Sequence, residues 1–168
     1  MPLADILGPG LRVVIVGTIA ARDRAEREHY YAGRGNAFWL LLHESGLTGR
    51  RLEPEADHLL PQFGVGLTDL VCTEPASPRM PACFDVAGLL GALTTTAPTA
   101  VAFVSKTAAA TYARAVHARL PRGYGEVSWS VAERPAFVLP GPSGANNGMP
   151  LPLRIALWRD LADFLETL

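Results

Sequence analysis

The chain has 168 residues, 49% of them hydrophobic and 18% charged, which fits one domain with a full core and excludes a disordered or fibrous protein. Fifteen Lys and Arg against sixteen Asp and Glu give a formal charge of −1, so no global positive field draws the chain to nucleic acid. No apolar run approaches the roughly 18–20 residues that span a bilayer.

The opening Met1-Pro2-Leu3-Ala4-Asp5 lacks the basic region of a signal peptide, and the expectation is a cytoplasmic protein with no membrane attachment. Cys72 and Cys83 then read as reduced thiols, and His29, His43, His58 and His117 show no ligand spacing, so no metal site is expected.

Arg12 to Val16 is β-branched and continuous and reads as a first strand. Gly17-Thr18-Ile19-Ala20-Ala21 follows as a loop of small residues. The polar stretch from Arg22 to Arg34 reads as an ordered loop or a short helix with a loop. Asn36 can cap a helix whose apolar face is Phe38, Trp39, Leu41 and Leu42, with Gly46 as its stop. Glu53 to Leu60 predicts a short helix with Pro54 in its first turn, and Gly64 to Leu70 an extended segment.

Thr73 to Pro81 reads as irregular surface and Val86 to Leu93 as a helix. Ala100 to Val104 predicts a buried strand, followed by Lys106 and a helix from Thr107 to about Leu120. Tyr124 to Glu133 reads as a hairpin or edge segment and Pro135 to Leu139 as the last inner strand. A closing helix from Leu153 to Thr167 would bury Leu157, Trp158, Leu161, Phe164, Leu165 and Leu168. Strands alternating with helices predict an α/β fold of three layers, α/β/α, around a mostly parallel sheet of four to five strands in a single domain. The loops after Val16 and after Leu139 both expose backbone, and together they predict one cleft at the carboxyl edge of that sheet.

Five segments in order carry a family resemblance: Asp5 to Val14, Tyr31-Ala32-Gly33-Arg34-Gly35-Asn36-Ala37-Phe38-Trp39, Ser45-Gly46-Leu47-Thr48, Gly64-Val65-Gly66-Leu67-Thr68-Asp69-Leu70, and Leu139-Pro140-Gly141-Pro142-Ser143-Gly144. Over most of its length the chain resembles the mismatch-specific uracil/thymine branch of the uracil-DNA glycosylase superfamily. The resemblance implies a monomeric enzyme of base excision repair that flips a damaged base out of DNA and hydrolyses its N-glycosidic bond without metal or organic cofactor. It implies a base pocket at Gly17, Thr18 and Ile19, whose backbone N–H groups would face the charge growing on the leaving base. It also implies a stacking aromatic at Tyr31, and a DNA-penetrating loop from Pro142 to Met149 with Ser143, Gly144, Ala145, Asn146 and Asn147 as contacts.

One departure matters. The family's first motif is Gly-x-Asn-Pro-Gly, with the asparagine positioning water, whereas here Ile19 holds the asparagine position and Ala20 the proline position. Ile19 cannot orient water. Asp69 is the catalytic candidate in its place, since an ionised carboxylate can hold water and offset positive charge on the sugar. Asn36 is the second candidate, an amide able to read a base edge by donating and accepting at once. Lys106, Arg34, Arg22, Arg24 and Arg27 are the candidate phosphate contacts. Plain structural roles stay open for the same residues: Asp69 as a turn cap or arginine partner, Asn36 as a helix cap, Tyr31 and His29 as packed rings. Two other functions stay open as well, a catalytically inactive binder of DNA lesions and a nucleotide-binding α/β domain. The last lacks both a Walker lysine motif and a Gly-x-Gly-x-x-Gly loop.

Overall fold

The computed structural model describes residues 5–73, 83–144 and 148–168. Strand β1, Val13–Ala20, runs through the middle of a six-stranded sheet. On one side it pairs in parallel with β2, Val65–Thr73, which carries the two-residue β3, Cys83–Phe84, antiparallel at the sheet edge. On the other side it pairs in parallel with β4, Ala100–Val104. Beyond β4 come β6, Arg134–Leu139, in parallel, and β5, Gly125–Val131, antiparallel at the second edge. The expected parallel inner sheet is present, and Cys83–Phe84 adds a sixth strand to the four or five anticipated.

Val13 to Val16 and Ala100 to Val104 are buried, as inner parallel strands covered by helices on both faces require. Alternate residues divide between the layers. Val13, Ile15, Val65 and Leu67 pack with α2, Phe38–Glu44, with α5, Leu151–Glu166, and with a 3-10 helix, Pro54–Phe63. Val14, Val16, Leu70 and Phe103 face α3, Val86–Thr96, and α4, Lys106–Ala115. A short α1, Ala21–Glu26, follows β1 with no buried residue.

Several expectations change, each for a local reason. The first strand does not stop at Gly17: residues 17–20 stay paired with β2 through Ala20 opposite Cys72. β-Branched Ile19 suits a strand, and Ala20 keeps the backbone donor that a proline would lack. The Glu53–Leu60 helix is a 3-10 helix extended to Phe63, with Pro61 inside it and Gly64 ending it at φ +75°. The helix after Lys106 ends at Ala115, well short of Leu120, and His117 beyond it takes a left-handed φ of +58°. Leu168 is 54% exposed and Leu157 only half-buried, so both lie outside the α5 stripe, where Trp158, Leu161 and Leu165 are buried and Phe164 packs partly buried against Phe137. The hairpin from β5 to β6 turns on Ala132 and Glu133, both at positive φ, the geometry of a type I′ turn. The irregular stretch expected from Thr73 to Pro81 lies, beyond Thr73, outside the described residues.

Trp158 joins α5 to the site. Its ring is fully buried edge-on to Phe38, centroids 5.7 Å apart, and its Nε1 donates to the Pro140 carbonyl at 3.0 Å. Trp158→Ala is therefore expected to cost about 3–5 kcal/mol of unfolding free energy, read from urea melts at unchanged secondary-structure content.

Candidate active site

The sheet order places β2 on one side of β1 and β4 on the other, so the chain reverses direction across the sheet at β1. Ligand crevices of open α/β sheets form at such a switch point, outside the carboxyl ends of the strands. Here β1 outruns its neighbour: pairing with β4 ends at Val16 opposite Phe103, while pairing with β2 continues for four more residues. The gap is a cleft of about 210 Å³ lined by Gly17, Thr18, Tyr31, Asn36, Asp69 and Ser105, with Gly141 to Ser143 across from them.

Gly17 and Asp69 are register partners on adjacent strands and share one face. A Cβ built on Gly17 would lie 2.9 Å from the Tyr31 hydroxyl and 3.1 Å from Asp69 Oδ1. The missing side chain is the space those two polar groups occupy. The Asp69 side chain is 3% exposed, and its Oδ2 accepts from Arg27 Nη2 at 2.7 Å. Burial pushes the carboxyl above the usual aspartate value; the Arg27 charge and its hydrogen bond oppose the shift without cancelling it.

Tyr31 adopts a left-handed φ of +52° and stacks on Phe38, centroids 4.0 Å apart and planes 20° from parallel. One face of its ring is thus covered. Its hydroxyl pKa is raised by burial first and then by the Asp69 charge. The backbone that presents Tyr31 is anchored by its neighbour. Tyr30 is buried, its N–H donates to Asp57 Oδ2 at 3.1 Å, and its carbonyl accepts from Trp39 Nε1 at 3.2 Å. His29 Nδ1 lies 3.3 Å from the same Asp57 oxygen, so His29 belongs to this anchor and not to the cleft lining.

Asn36 turns the chain into α2. Its Oδ1 accepts from the Phe38 N–H at 2.9 Å, which fixes the amide orientation and directs Nδ2 as the group left for a ligand. The N-cap of α2 is Ala37, so Asn36 is not the expected cap: one residue earlier, it closes an Asx turn onto the first helical N–H and lines the cleft with its oxygen already used. The next N–H, of Ala37, donates to the Pro142 carbonyl at 2.8 Å. A Cβ on Gly144 would meet the Gly35 carbonyl oxygen at 3.0 Å. These contacts lock the two glycine-containing loops together.

Gly17, Thr18, Tyr31, Asn36, Asp69 and Ser143 come together as anticipated. Ile19 does not line the cleft; it pairs with Val71 farther along the strand. Gly17 to Ile19 form a strand end instead of a loop, so their β2-facing backbone groups are engaged and the side that β4 leaves uncovered faces the cleft. Lys106 is exposed next to Ser105, its Nζ 4.7 Å from the Tyr124 ring centre, and Arg34 is exposed on the loop before Asn36. Arg24 turns inward to Asp5 at 3.3 Å and Arg27 to Asp69, whereas Arg22 stays on the surface beside Asp23. Ala145, Asn146 and Asn147 lie outside the described residues.

Ser105 escaped the sequence reading. It sits at φ +95°, ψ 151°, a region that costs a non-glycine residue on the order of 1–3 kcal/mol. Its Oγ caps α4 by accepting from the Ala108 N–H at 3.1 Å, and its N–H donates to the Leu139 carbonyl at 2.9 Å. A serine between a buried strand and a helix was the available signal.

The packing around Gly17 yields a direct test. Gly17→Ala is expected to lower stability by about 1–3 kcal/mol, because the new methyl group displaces the Tyr31 hydroxyl and the Asp69 carboxylate. Removing the hydroxyl with Tyr31→Phe in the same chain should recover part of that loss in thermal melts.

The family model described as the uracil DNA glycosylase superfamily matches residues 4–162. Among solved structures, the chain is similar to the solution NMR structure of a candidate uracil DNA glycosylase from Methanosarcina acetivorans. The two are 19% identical, with a TM-score of 0.60 over 98% of this chain and 97% of the other, a likeness of fold. With its cleft at the switch point of the sheet and a family match across nearly the whole length, the chain belongs to the uracil DNA glycosylase superfamily.

Proposed function

We propose that the protein is a monofunctional DNA glycosylase that hydrolyses the N-glycosidic bond of uracil or a related deaminated base flipped out of DNA into the cleft. The observation that carries this reading is the buried Asp69 carboxylate beside Gly17, in a cleft shared with Tyr31 and Asn36. With Oδ2 held by Arg27, Oδ1 is free in role to hold a water molecule and to face positive charge developing at the sugar. The water oxygen bonds to C1′ as the C1′–N bond breaks, and the bonding pair leaves on the base. The water proton passes to the carboxylate and on to solvent or the base, leaving free base and an abasic site.

Asn36 supports the choice of base. Its Oδ1 is committed to the Phe38 N–H, so it meets a ligand as a donor. Deamination replaces an exocyclic amine, itself a donor, with a carbonyl that accepts. A fixed donor rewards that change and leaves an unpaired donor pair when the amine is present. The neighbouring Lys106 and Arg34 are the proposed phosphate contacts, and Ser143 with Gly144 the proposed contact to the strand at the flipped site.

Excision from duplexes carrying uracil, hypoxanthine, xanthine or a thymine mispair tests the proposal. At least one of these bases should be released, and Asp69→Ala should slow its release by about 10²–10⁴-fold. Tight, salt-sensitive binding to the same duplexes with no base released would establish the lesion binder instead. Asn36→Ala is expected to erode discrimination between the released base and its amino parent.

Asp69 also predicts two pH dependences of known sign. Excision needs the carboxylate ionised, so its rate should fall with pH through a value above the ordinary aspartate 3.8. For stability, a folded-state pKa raised above the ordinary 3.8 means that folding free energy is lost as pH rises from 3.8 toward the folded-state value, above which the penalty on ionised Asp69 is complete. Asp69→Asn should therefore be at least as stable as the parent at about pH 7, with the advantage vanishing as pH falls toward the ordinary aspartate range.

A further inference from the structure

We propose that Arg27 is a positioning residue: it holds and orients the Asp69 carboxylate and ties it to the segment that carries Tyr31 and Asn36. The proposal rests on the reading of Asp69 given above, and its test separates the two.

Arg27 follows the last residue of α1 in extended backbone, φ −76° and ψ 131°, which ends the helix. Its guanidinium does two things at once. Nη2 donates to Asp69 Oδ2 at 2.7 Å, and the guanidinium carbon stacks 3.9 Å from the centre of the Tyr30 ring. Tyr30 cannot yield, since it is buried and its backbone is held from both sides by Asp57 and Trp39. A planar fork resting on an immobile ring fixes the direction of the hydrogen bond. With one carboxylate oxygen held there, the other is turned to the space beside Gly17.

The charged and titratable groups around Asp69 leave Arg27 this role. Arg27, Asp5 and Arg24 act on it electrostatically, and Asp69 acts in turn on Tyr31 and Tyr30. Arg24 is engaged by Asp5 at 3.3 Å, and Tyr30 and Tyr31 carry no positive charge. Among the described residues, Arg27 is the cation in direct contact with the carboxylate, and its side chain is itself only 17% exposed. Arg27 Nε is buried without a protein partner among the described residues, so the guanidinium is held by its pairing with Asp69 and its stacking on Tyr30. The segment from Arg27 to Asn36 thus delivers Tyr31 and Asn36 to the cleft and sets the carboxylate of a different strand from the same stretch of chain.

The test uses Arg27→Gln, which keeps a donor without charge, and Arg27→Lys, which keeps charge without the planar fork. Both are made in the parent and in Asp69→Asn. One readout is the titration of the Asp69 carboxyl carbon by NMR in ¹³C-labelled protein without DNA, assigned by its loss in Asp69→Asn. The other is single-turnover excision against pH on a base the parent releases. Arg27→Gln should move the Asp69 titration and the acid limb of the rate profile upward together by about one pH unit. That is about a tenfold loss on the limb and little loss above it. Arg27→Lys should restore most of the limb, KM for DNA should change less than about twofold, and neither variant should slow Asp69→Asn further. An Asp69 titration that does not move in Arg27→Gln overturns the proposal, as does an equal rate loss at every pH in both variants. Should Asp69→Asn excise at the parent rate, the catalytic reading of Asp69 falls, while the NMR titration still decides whether Arg27 holds the carboxylate.

Discussion

Gly17 and Asp69 are opposite each other on adjacent parallel strands, and strands in a sheet lie only about 4.8 Å apart. A side chain on either therefore decides what the other can present. Because position 17 has none, the Asp69 carboxylate and the Tyr31 hydroxyl share the vacated volume. The cleft then needs one more condition, that β4 stop while β1 continues, and Ser105 enforces it by turning the chain into α4 at a strained φ of +95°. Register supplies the carboxylate, and the strand-length mismatch supplies the opening.

Placing an acid there is unfavourable for the fold. A carboxylate 3% exposed loses most of its hydration, and one ion pair returns only part of what burial removes. Stored strain at Ser105 and at Tyr31 adds to the cost. The surrounding structure over-determines the arrangement. Phe38 sits under Tyr31 and against Trp158 and Trp39, Tyr30 is held by Asp57, and the Asn36 and Pro142 segments are hydrogen-bonded to one another. These ring contacts and hydrogen bonds hold the loops from which the cleft is built.

The fold was legible because its signals are local. Runs such as Val13 to Val16 and Ala100 to Val104 can be little else than inner strands, and α2 and α5 show their apolar faces in the spacing. The cleft was legible in outline, since two loops of small residues at strand ends imply a shared edge. What could not be read was how far β1 runs, because Gly17 suggests a stop that in-register pairing with β2 overrides. The fate of the arginines was only half legible: an arginine partner for Asp69 was one open reading, but Arg24 and Arg27 stood among the candidate phosphate contacts, and only tertiary contact shows them turned to Asp5 and Asp69. Ser105 was missed for a related reason, since its strain is a backbone property that its residue type conceals.

The two departures, at residues 19 and 20, hang together physically. Ala20 lets β1 keep its ladder, so the strand ends one residue before α1 begins at Ala21. A helix of six residues then returns the chain, and the residue after its end is Arg27, brought against β2 beside Asp69. Ile19, placed on the strand opposite Val71, needs no polar role in this arrangement. β1 supplies backbone and empty space, its neighbour β2 supplies the charge, and the segment after α1 supplies the cation that makes that charge tolerable. An amide at position 19 would need no counter-ion, but a buried carboxylate at position 69 does. The route of the chain after β1 is what brings one to it.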